Sequence, residues 1–501
     1  MDDPLAPARS IWEGNGLPAQ ALSSLRLSRN PDLAVNSSFK LGTAAQTVIG
    51  LSGLGAAQFH KLRTGVDQEV SVDARHAVLE FKSEAWYTIN DSLPSGTLFD
   101  PLAGLYKTKD DSYVRLHTNF PHHRQGILDI LRCAPTRDAV AAALLQWNAV
   151  DFETEASARK MVATALRSFD EWDRHPQGRT LAGAPPVQLV KIGDAPRREV
   201  RGDYARPLEG IRVLDFTRVL AGPVCGRTLA AHGADVLLIT STKLPALPLL
   251  DTDTSRGKRA TQLDLTTQTD RAILSDLVKD ADVFLQAYRP GGLQNKGFGP
   301  EGVATARPGI VYASLTAYGW EGPWKDRRGF DSLVQTASGF NVAEGEAHAT
   351  FSADGAGPTP RPLPMQALDH AAGFLLAFGI NAALCKTITE GGSWEVRVSL
   401  AAVGQWIRSL GRLNPAVAFG EGRLLPSRSL PWPEELQLLA VSHLRHSGDH
   451  APANDKQPER ITAISHAAKL SRTPVEESGS PISLNAHNPA WFPGASGTCY
   501  A

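Results

Sequence analysis

The alternation of strand and helix patterns between residues 210 and 315 limits most strongly how this chain can fold. Residues 210–222, GIRVLDFTRVLAG, contain an apolar alternating run and a turn of small residues, and a helical pattern follows. Further apolar runs at 234–239, 282–285 and 310–315 alternate with helical stretches such as 269–279. Strands that alternate with helices are typical of parallel sheets. The sequence therefore predicts an α/β fold with a Rossmann-like parallel sheet.

A chain of 501 residues exceeds the usual size of a single core, so more than one domain is expected. The polar segment 196–207 is bounded by prolines and has no apolar periodicity, which indicates a linker. We predict an N-terminal region over 1–205, a Rossmann-like domain over 206–415 and an irregular C-terminal tail over 416–501.

Composition narrows the function classes. The 52 acidic and 51 basic residues nearly cancel, so no broad surface for nucleic acid is expected. The four cysteines lie far apart without a CxxC pair, which argues against a zinc site or a disulfide framework. The acidic start has no apolar run behind it, and the stretch 371–384 is too short and interrupted for a bilayer. A cytoplasmic protein without a membrane partner is expected.

An internal repeat relates two parts of the chain. Residues 46–74 and 372–400 carry helix, turn and strand signals in the same register, with 69–73 aligned on 395–399. The alignment places Thr43 opposite Asp369, so only the second copy has a carboxylate at the start of its helix. We predict a degenerate repeat over about 35–85. Two unrelated helix-to-strand units of similar composition remain the alternative.

Asp369 is the candidate for chemistry. It stands just before a strongly apolar helix, where an aspartate side chain can accept a hydrogen bond from a free backbone N–H. For an isolated aspartate, this capping role is the better interpretation. A carboxylate can also attack a thioester carbonyl and form a covalent intermediate.

A series of motifs carries a resemblance to a known family. The motifs are, in order, 210–223 (GIRVLDFTRVLAGP), 232–236 (HGADV), 256–259 (RGKR), 263–265 (LDL), 281–283 (ADV), 288–291 (YRPG), 318–323 (YGWEGP), 328–331 (RGFD) and 367–369 (ALD). Each is weak alone, but all of them in order resemble the family III CoA-transferases (CaiB/BaiF family) from Gly210 to Asp369.

The resemblance implies a fold, a reaction and a partner. An aspartate matching Asp369 attacks an acyl-CoA to give a mixed anhydride, the CoA thiolate converts this to an aspartyl-CoA thioester, and a carboxylic acid then takes over the CoA. Backbone amides would stabilise the oxyanions. Coenzyme A thioesters enter as substrates, and no permanently bound cofactor or metal is implied. The family also forms interlocked homodimers, although the sequence leaves that point open for this chain.

Several residues are candidates for contacts with CoA. The small residues of the turn after the first strand would let backbone N–H groups approach the substrate, and cationic or aromatic side chains would meet phosphate and adenine. A tight turn, a solvated basic turn and a surface loop are the structural alternatives. The candidates are Val219, Leu220, Ala221, Lys258, Arg259, Tyr288, Arg289, Arg327, Arg328 and Gly329.

The chain departs from the family pattern in three ways. Ala287-Tyr288 stands where the family has an Asn/Phe-type pair, so an aromatic is kept and an amide is lost. Thr240-Ser241-Thr242 follows the second strand, where the family usually has an acidic residue near the nucleotide. The segment of about 95–195, which includes YKTKDDSYV at 106–114, looks like the family's small α+β domain but precedes the Rossmann-like domain. This rearranged order suggests the back half of one copy joined to the front half of another, completing one active unit.

Three histidines, His117, His122 and His123, have no ligand partner at a familiar spacing, so we expect them to line the cleft or an interface rather than hold a metal.

An α-methylacyl-CoA racemase is an alternative function within the superfamily, but Phe330 occupies the place of the histidine in its Gly-His-Asp triplet. A non-catalytic CoA-binding relative is a second alternative. A dinucleotide dehydrogenase is weaker, because GxGxxG is missing.

Overall fold

A computed structural model describes residues 3–200, 202–353, 357–445, 447–449 and 458–492. The first part of the chain forms helices and short strands, with 3-10 turns at Ala19–Ser24, Pro31–Ala34 and Ser83–Ala85. Its elements are α1 (Ala6–Gly14), β1 (Leu25–Leu27), α2 (Leu41–Thr64), β2 (Val70–Val72), α3 (Ala74–Glu80) and β3 (Tyr87–Ile89).

A small α+β domain follows, in the segment where one was expected. Strands β4, β5 and β6 form an antiparallel sheet, and its helices pack around a separate core that includes Leu116, Ile127 and Phe152. The elements are β4 (Gly104–Lys107), β5 (Tyr113–Leu116), α4 (Pro121–Leu131), α5 (Arg137–Leu144), α6 (Ala149–Ala158) and β6 (Ala163–Ala165), followed by α7 (Phe169–Arg174) and α8 (Pro176–Thr180).

The third part of the chain is a layered α/β domain, which confirms the predicted fold class. Each predicted strand between 210 and 315 is present. The elements are β7 (Gln188–Gly193), β8 (Arg212–Phe216), α9 (Ala221–Ala231), β9 (Asp235–Thr240), α10 (Pro248–Thr254), β10 (Arg259–Gln262), α11 (Gln268–Lys279), β11 (Val283–Gln286), α12 (Pro300–Ala306), β12 (Val311–Thr316), α13 (Asp331–Ala337), α14 (Phe340–Ser352), α15 (Ala367–Thr389), β13 (Ser393–Ser399) and α16 (Leu400–Ser409).

The large sheet has seven strands in the order β10-β9-β8-β11-β12-β13-β7. All neighbours are parallel except β7, which pairs antiparallel with β13. Strand β7 precedes the expected boundary at 205, so the N-terminal region supplies an edge strand to this sheet. The connections leave in opposite directions from β8 and β11, and a crevice opens at the carboxyl ends of these two strands.

Helices α2 and α15 form the centre of the molecule. Helix α15 has 23 residues and is long and apolar enough to span a membrane by length and composition, but 89% of its most apolar window is buried inside the protein. The stretch 371–384 forms a buried helix, as the sequence indicates, but the helix extends beyond it at both ends and is therefore longer than expected. Helix α2 packs along it, and Asn381 of α15 donates a hydrogen bond to the carbonyl oxygen of Ser52 (3.1 Å).

The two copies of the repeat begin alike. Thr43 is the third residue of α2 and Asp369 is the third residue of α15. In each copy the backbone N–H of that residue donates to an upstream aspartate, Asp32 (2.8 Å) or Asp331 (3.0 Å). The residues just before the two helices also share a conformation, with φ −74° and ψ 60° at Lys40 and φ −78° and ψ 65° at Gln366.

The C-terminal segment is not an irregular tail in its described part. It contains α17 (Pro415–Gly420), α18 (Glu434–Leu439), β14 (Ala440–Leu444), β15 (Arg460–Ile464) and β16 (Ala468–Leu470). Strand β15 pairs with β3, and β16 pairs with β2, so this segment completes the two small sheets of the N-terminal region. The rest of the expected tail, residues 446, 450–457 and 493–501, lies outside the described residues.

Candidate active site

A cavity of about 290 Å³ opens at the carboxyl ends of β8 and β11. The large domain contributes most of its walls, and the small domain contributes one side. Its lining residues are Phe120, His122, His123, Arg218, Val219, Leu220, Ala221, Gly222, Leu244, Pro245, Ala287, Tyr288, Arg289, Pro290, Leu315, Thr316, Ala317, Lys325, Arg327, Arg328, Gly329, Phe330, Asp369 and Leu400. Small-domain residues and Asp369 therefore meet within one chain.

Asp369 lies in the first turn of α15 and reaches the cavity with 8% of its surface exposed. Its own backbone N–H and that of Leu368 donate to Asp331 Oδ2, at 3.0 and 2.7 Å. Asp331, rather than Asp369, therefore satisfies the free N–H groups at the start of this helix. The carboxylate of Asp369 is left facing the cavity.

The surroundings of Asp369 favour its neutral form. Burial raises the pKa of the Asp369 carboxyl well above its ordinary value, and the nearby carboxylates of Asp331 and Glu84 raise it further. Burial likewise raises the pKa of Asp331 to about 6. Glu84 accepts a hydrogen bond from His370 (Nε2 to Oε2, 3.0 Å), so His370 points away from the cavity into the core.

The turn between β8 and α9 is strained where it borders the cavity. Val219 has a φ of +75°, a left-handed conformation that is unfavourable for a β-branched residue. Ala221 then begins the 11-residue helix α9, whose N-terminus faces the cavity with its unpaired N–H groups. On the opposite wall, a side chain at Gly329 would lie 2.5 Å from the Cβ of Ala317, so glycine is required there.

Cationic side chains gather at the exposed side of the cavity. Arg289 and Lys325 are exposed, and Arg218 is held by the carbonyl oxygen of Pro245. Arg328 donates to His123 Nε2 (2.8 Å) and to the carbonyl oxygen of Lys160 (2.5 Å), both in the small domain. These groups offer hydrogen-bond donors and positive charge suited to phosphate.

Arg327 faces both the cavity and the small domain. Its guanidinium pairs with Glu153 (3.1 Å), donates to the carbonyl oxygen of Ala163 (3.1 Å) and stacks on the ring of Trp324 (3.9 Å). This side chain therefore ties the loop 325–329 to α6 and β6. Tyr288 lies on the opposite wall, where burial raises the pKa of its hydroxyl to about 12.

The three singled-out histidines lie together beside the cavity. His122 and His123 line it, whereas His117 stacks face to face on Phe330, with ring centroids 3.8 Å apart. Burial lowers the pKa of both His117 and His123 to about 3, with help from nearby positive charge. All three histidines are therefore neutral near pH 7, and His123 accepts the hydrogen bond from Arg328.

Two predicted CoA contacts lie elsewhere. Lys258 is fully buried, where its ammonium pairs with Asp215 (2.8 Å) and donates to the carbonyl oxygen of Pro223 (2.9 Å). Its predicted role at a phosphate is therefore wrong, since this buried pair holds α9 against β8. Arg259 is outside the cavity, where its guanidinium pairs with Asp235 (2.8 Å) and packs on Phe492.

The remaining candidates all line the cavity: Val219, Leu220, Ala221, Tyr288, Arg289, Arg327, Arg328 and Gly329. The sequence reasoning missed Arg218, Lys325, Phe120 and Leu400. Arg218 and Lys325 stand within or beside the motifs that carry the resemblance, which was a usable signal. Phe120 and Leu400 carry no local signal, because only the packing of the small domain and of α16 brings them to Asp369.

Comparisons with known proteins agree with this geometry. Residues 208–413 match the model of the CoA-transferase family III. An acetyl-coenzyme A transferase of Hypoxylon pulicicidum is 35% identical over 41% of this chain and 34% of its own length. A probable fatty acyl-CoA transferase of Mycobacterium tuberculosis is 34% identical over 40% of this chain and 52% of its own length. An acyl-CoA transferase of Gibberella moniliformis is 28% identical over 71% of this chain and 68% of its own length.

The chain thus spans about a third to a half of the length of the first two relatives. The matched segment contains β8, α9, β11 and α15, the elements that carry Asp369 and most of the cavity. Residues 208–413 are therefore similar to the CoA-transferase family III, and this similarity covers the elements that form the cavity.

Proposed function

We propose that the protein transfers coenzyme A from an acyl-CoA to a carboxylic acid, with Asp369 as the nucleophile. The observation that carries this proposal is the position of Asp369. Its carboxylate faces a cavity at the switch point of a CoA-transferase domain, while Asp331 performs the helix-capping role that would otherwise explain an aspartate there.

The reaction follows from that placement. A carboxylate oxygen of Asp369 attacks the thioester carbonyl, and the C–S bond breaks. The CoA thiolate departs, and a mixed anhydride between Asp369 and the acyl group remains. The thiolate then attacks the aspartyl carbonyl, forms aspartyl-CoA and releases the first acid as a carboxylate. The incoming carboxylate repeats both steps in reverse order, so atoms and charges balance without a redox partner.

The walls of the cavity supply the remaining functions. Free N–H groups at the start of α9, beside Ala221, are donors for the oxyanion that forms at each attack. Arg218, Arg289 and Arg328 provide charge for the phosphate groups of CoA. Phe120 and His122 of the small domain close the side of the cavity, which excludes water from the reactive anhydride.

Trapping of the intermediate tests the proposal. Purified protein is incubated with a panel of acyl-CoAs and hydroxylamine, which converts an activated aspartyl group to a hydroxamate, and peptide mass spectrometry locates the modification. We expect modification at Asp369 and its loss in Asp369→Asn, which keeps the size of the side chain. The variant Asp32→Asn is the control, because Asp32 accepts from the N–H of Thr43 in the first repeat, as Asp331 does from Asp369, and lies outside the cavity.

An unmodified Asp369 in protein that still binds CoA would contradict the proposal. Exchange of the α-hydrogen of the acyl group with deuterated water would then support the racemase, and no exchange would support a binding protein. A homodimer and a cytoplasmic location stay predictions, which light scattering and cell fractionation check.

A further inference from the structure

Apolar side chains form much of the cavity wall that Asp369 shares. Helix α9 packs directly on α15, because a methyl group at Gly373 would lie only 2.5 Å from the carbonyl oxygen of Ala221. Gly373 is one helical turn after Asp369, so Ala221 borders the carboxylate. Phe330 borders it from another direction, since the next residue, Asp331, binds the Asp369 backbone N–H at 3.0 Å.

Helix α16 closes the third direction with another apolar side chain. The side chain of Leu368 would contact a methyl group at Gly404 (3.6 Å), and Leu400 lies one turn before Gly404 at the end of the cavity. Leu400 belongs to the main hydrophobic core, as do Ala221 and the neighbouring wall residues Leu220 and Leu315. The reactive end of the cavity is thus an extension of this core.

Charge divides the cavity in the same way. The charged groups that shift the pKa of Asp369 are both carboxylates, Asp331 and Glu84. The arginines Arg218, Arg289 and Arg328 instead surround His122 of the small domain, where their charge helps lower its pKa. These three arginines therefore lie beside the small domain, whereas the charges that act on Asp369 are those of carboxylates.

We propose that the acyl groups transferred by this protein are apolar and uncharged, and that acyl groups ending in a second carboxylate are rejected. This inference rests on the proposed function, since it describes what the same cavity admits beside Asp369. A second carboxylate there would meet the like charges of Asp331 and Glu84 and the apolar side chains of the wall. Two like charges about 6 Å apart at an effective dielectric of about 20 repel enough to lower a rate by about 100-fold.

Two acyl-CoAs of the same shape test the inference. The 4-methylpentanoyl group matches the succinyl group atom for atom, with two methyl groups in place of the two carboxylate oxygens. The rate of Asp369 modification is measured with each thioester at saturating concentration in the presence of hydroxylamine. We expect 4-methylpentanoyl-CoA to react at least tenfold faster. An equal or faster reaction of succinyl-CoA would overturn the inference and leave the proposed function standing, whereas no reaction with either would count against the function itself.

A substitution should weaken the expected preference. Leu400→Lys places a cation at the reactive end, so we expect the preference for 4-methylpentanoyl-CoA to narrow at least tenfold. Leu438→Lys makes the same change on an exposed leucine of α18 and should leave the preference intact. An unchanged preference in a folded Leu400→Lys protein would contradict the assigned surroundings of the acyl group. The comparison in the wild-type protein decides the matter if that variant does not fold.

Discussion

Asp369 combines two properties that oppose each other at the scale of a single residue. Among the described residues none donates a hydrogen bond to its carboxylate, and its nearest charges are negative. Such a carboxylate is costly to the folded state but reactive toward an electrophile, because neither hydrogen bonds nor cations hold its lone pairs. The protein therefore gives up stability at the position where the proposed reaction needs an uncompensated nucleophile.

The pH dependence of modification follows from the raised pKa of Asp369. Only the ionised carboxylate attacks, so the rate of Asp369 modification should fall on acidification, with a midpoint above the ordinary aspartate pKa of 3.8. Glu84→Gln removes one of the charges that raise this pKa and keeps an acceptor for His370. We expect its midpoint at lower pH in single-turnover labelling. A midpoint at or below 3.8 in the wild-type protein would contradict the described environment.

The same carboxylate predicts a gain in stability on its removal. The folded-state pKa of Asp369 lies above 3.8, so ionisation disfavours folding increasingly as the pH rises from 3.8 through the folded pKa. Asp369→Asn should raise the free energy of unfolding by at least about 1 kcal/mol at pH 8, because each unit of pKa shift corresponds to about 1.4 kcal/mol. Urea titration at pH 8 measures this, and the difference should shrink toward pH 4.

At this scale the sequence predicted where Asp369 lies, at the start of a helix, but not where Lys258 lies, and the difference has a physical reason. The position of Asp369 at a helix start is encoded by adjacent residues, namely the apolar run that follows it. The partner of Lys258 is Asp215, which is 43 positions away and lies on another strand. A lysine in a Gly-Lys-Arg turn has the same local pattern whether it faces phosphate or a buried carboxylate.

At the scale of elements, the site depends on how closely α9 approaches α15. The absence of a side chain at Gly373 sets this distance, and with it the position of the strained turn at Val219. The strands of the large sheet could be predicted because each is a continuous apolar run, as expected for a sheet covered on both faces. Strands β14–β16 could not be predicted, because they are short. Strand β14 pairs only with β15, and β15 and β16 pair with β3 and β2, whose residues are about 370 to 400 positions away.

A methyl group between these helices should separate them. Gly373→Ala would place a Cβ 2.5 Å from the carbonyl oxygen of Ala221 and 3.0 Å from the side chain of Val224. We expect a loss of about 1–3 kcal/mol in the free energy of unfolding and at least tenfold slower modification of Asp369. Gly14→Ala is the matched control, since no atom lies within 4 Å of its added methyl group. Equal stability of the two variants in thermal unfolding would show that the contact is not tight.

At the scale of the whole molecule, unlike halves of the chain together form one cavity and one core. The first half supplies α2 as the packing surface for α15 and supplies the small domain that borders the cavity, whereas the second half supplies Asp369. The repeat and the early small domain pointed to this arrangement in the sequence. The sequence did not predict that Phe120 lines the same cavity as Asp369. This depends on how the separate cores of the small and the large domain fit together.

Separation of the halves should abolish folding of the family domain. A chain starting at residue 208 lacks α2, so the apolar surface of α15 that α2 covers would be exposed. We expect this fragment to be insoluble or to unfold without cooperativity, and co-expression with residues 1–207 to recover soluble protein. Solubility and circular dichroism of the two preparations measure the effect. A cooperatively folded fragment 208–501 would contradict a shared core.

The pairing of Thr43 with Asp369 across the two repeats also bears on evolution. In an assembly of identical chains, every mutation appears in all copies at once, so a change that improves one contact must be tolerated at each equivalent contact. In this chain the two versions of the unit occupy different positions in one sequence, so a mutation in one does not appear in the other. Substitutions near Thr43 can therefore change the packing of α2 without altering the residues around Asp369, and the reverse holds as well. Each of the two units can change on its own.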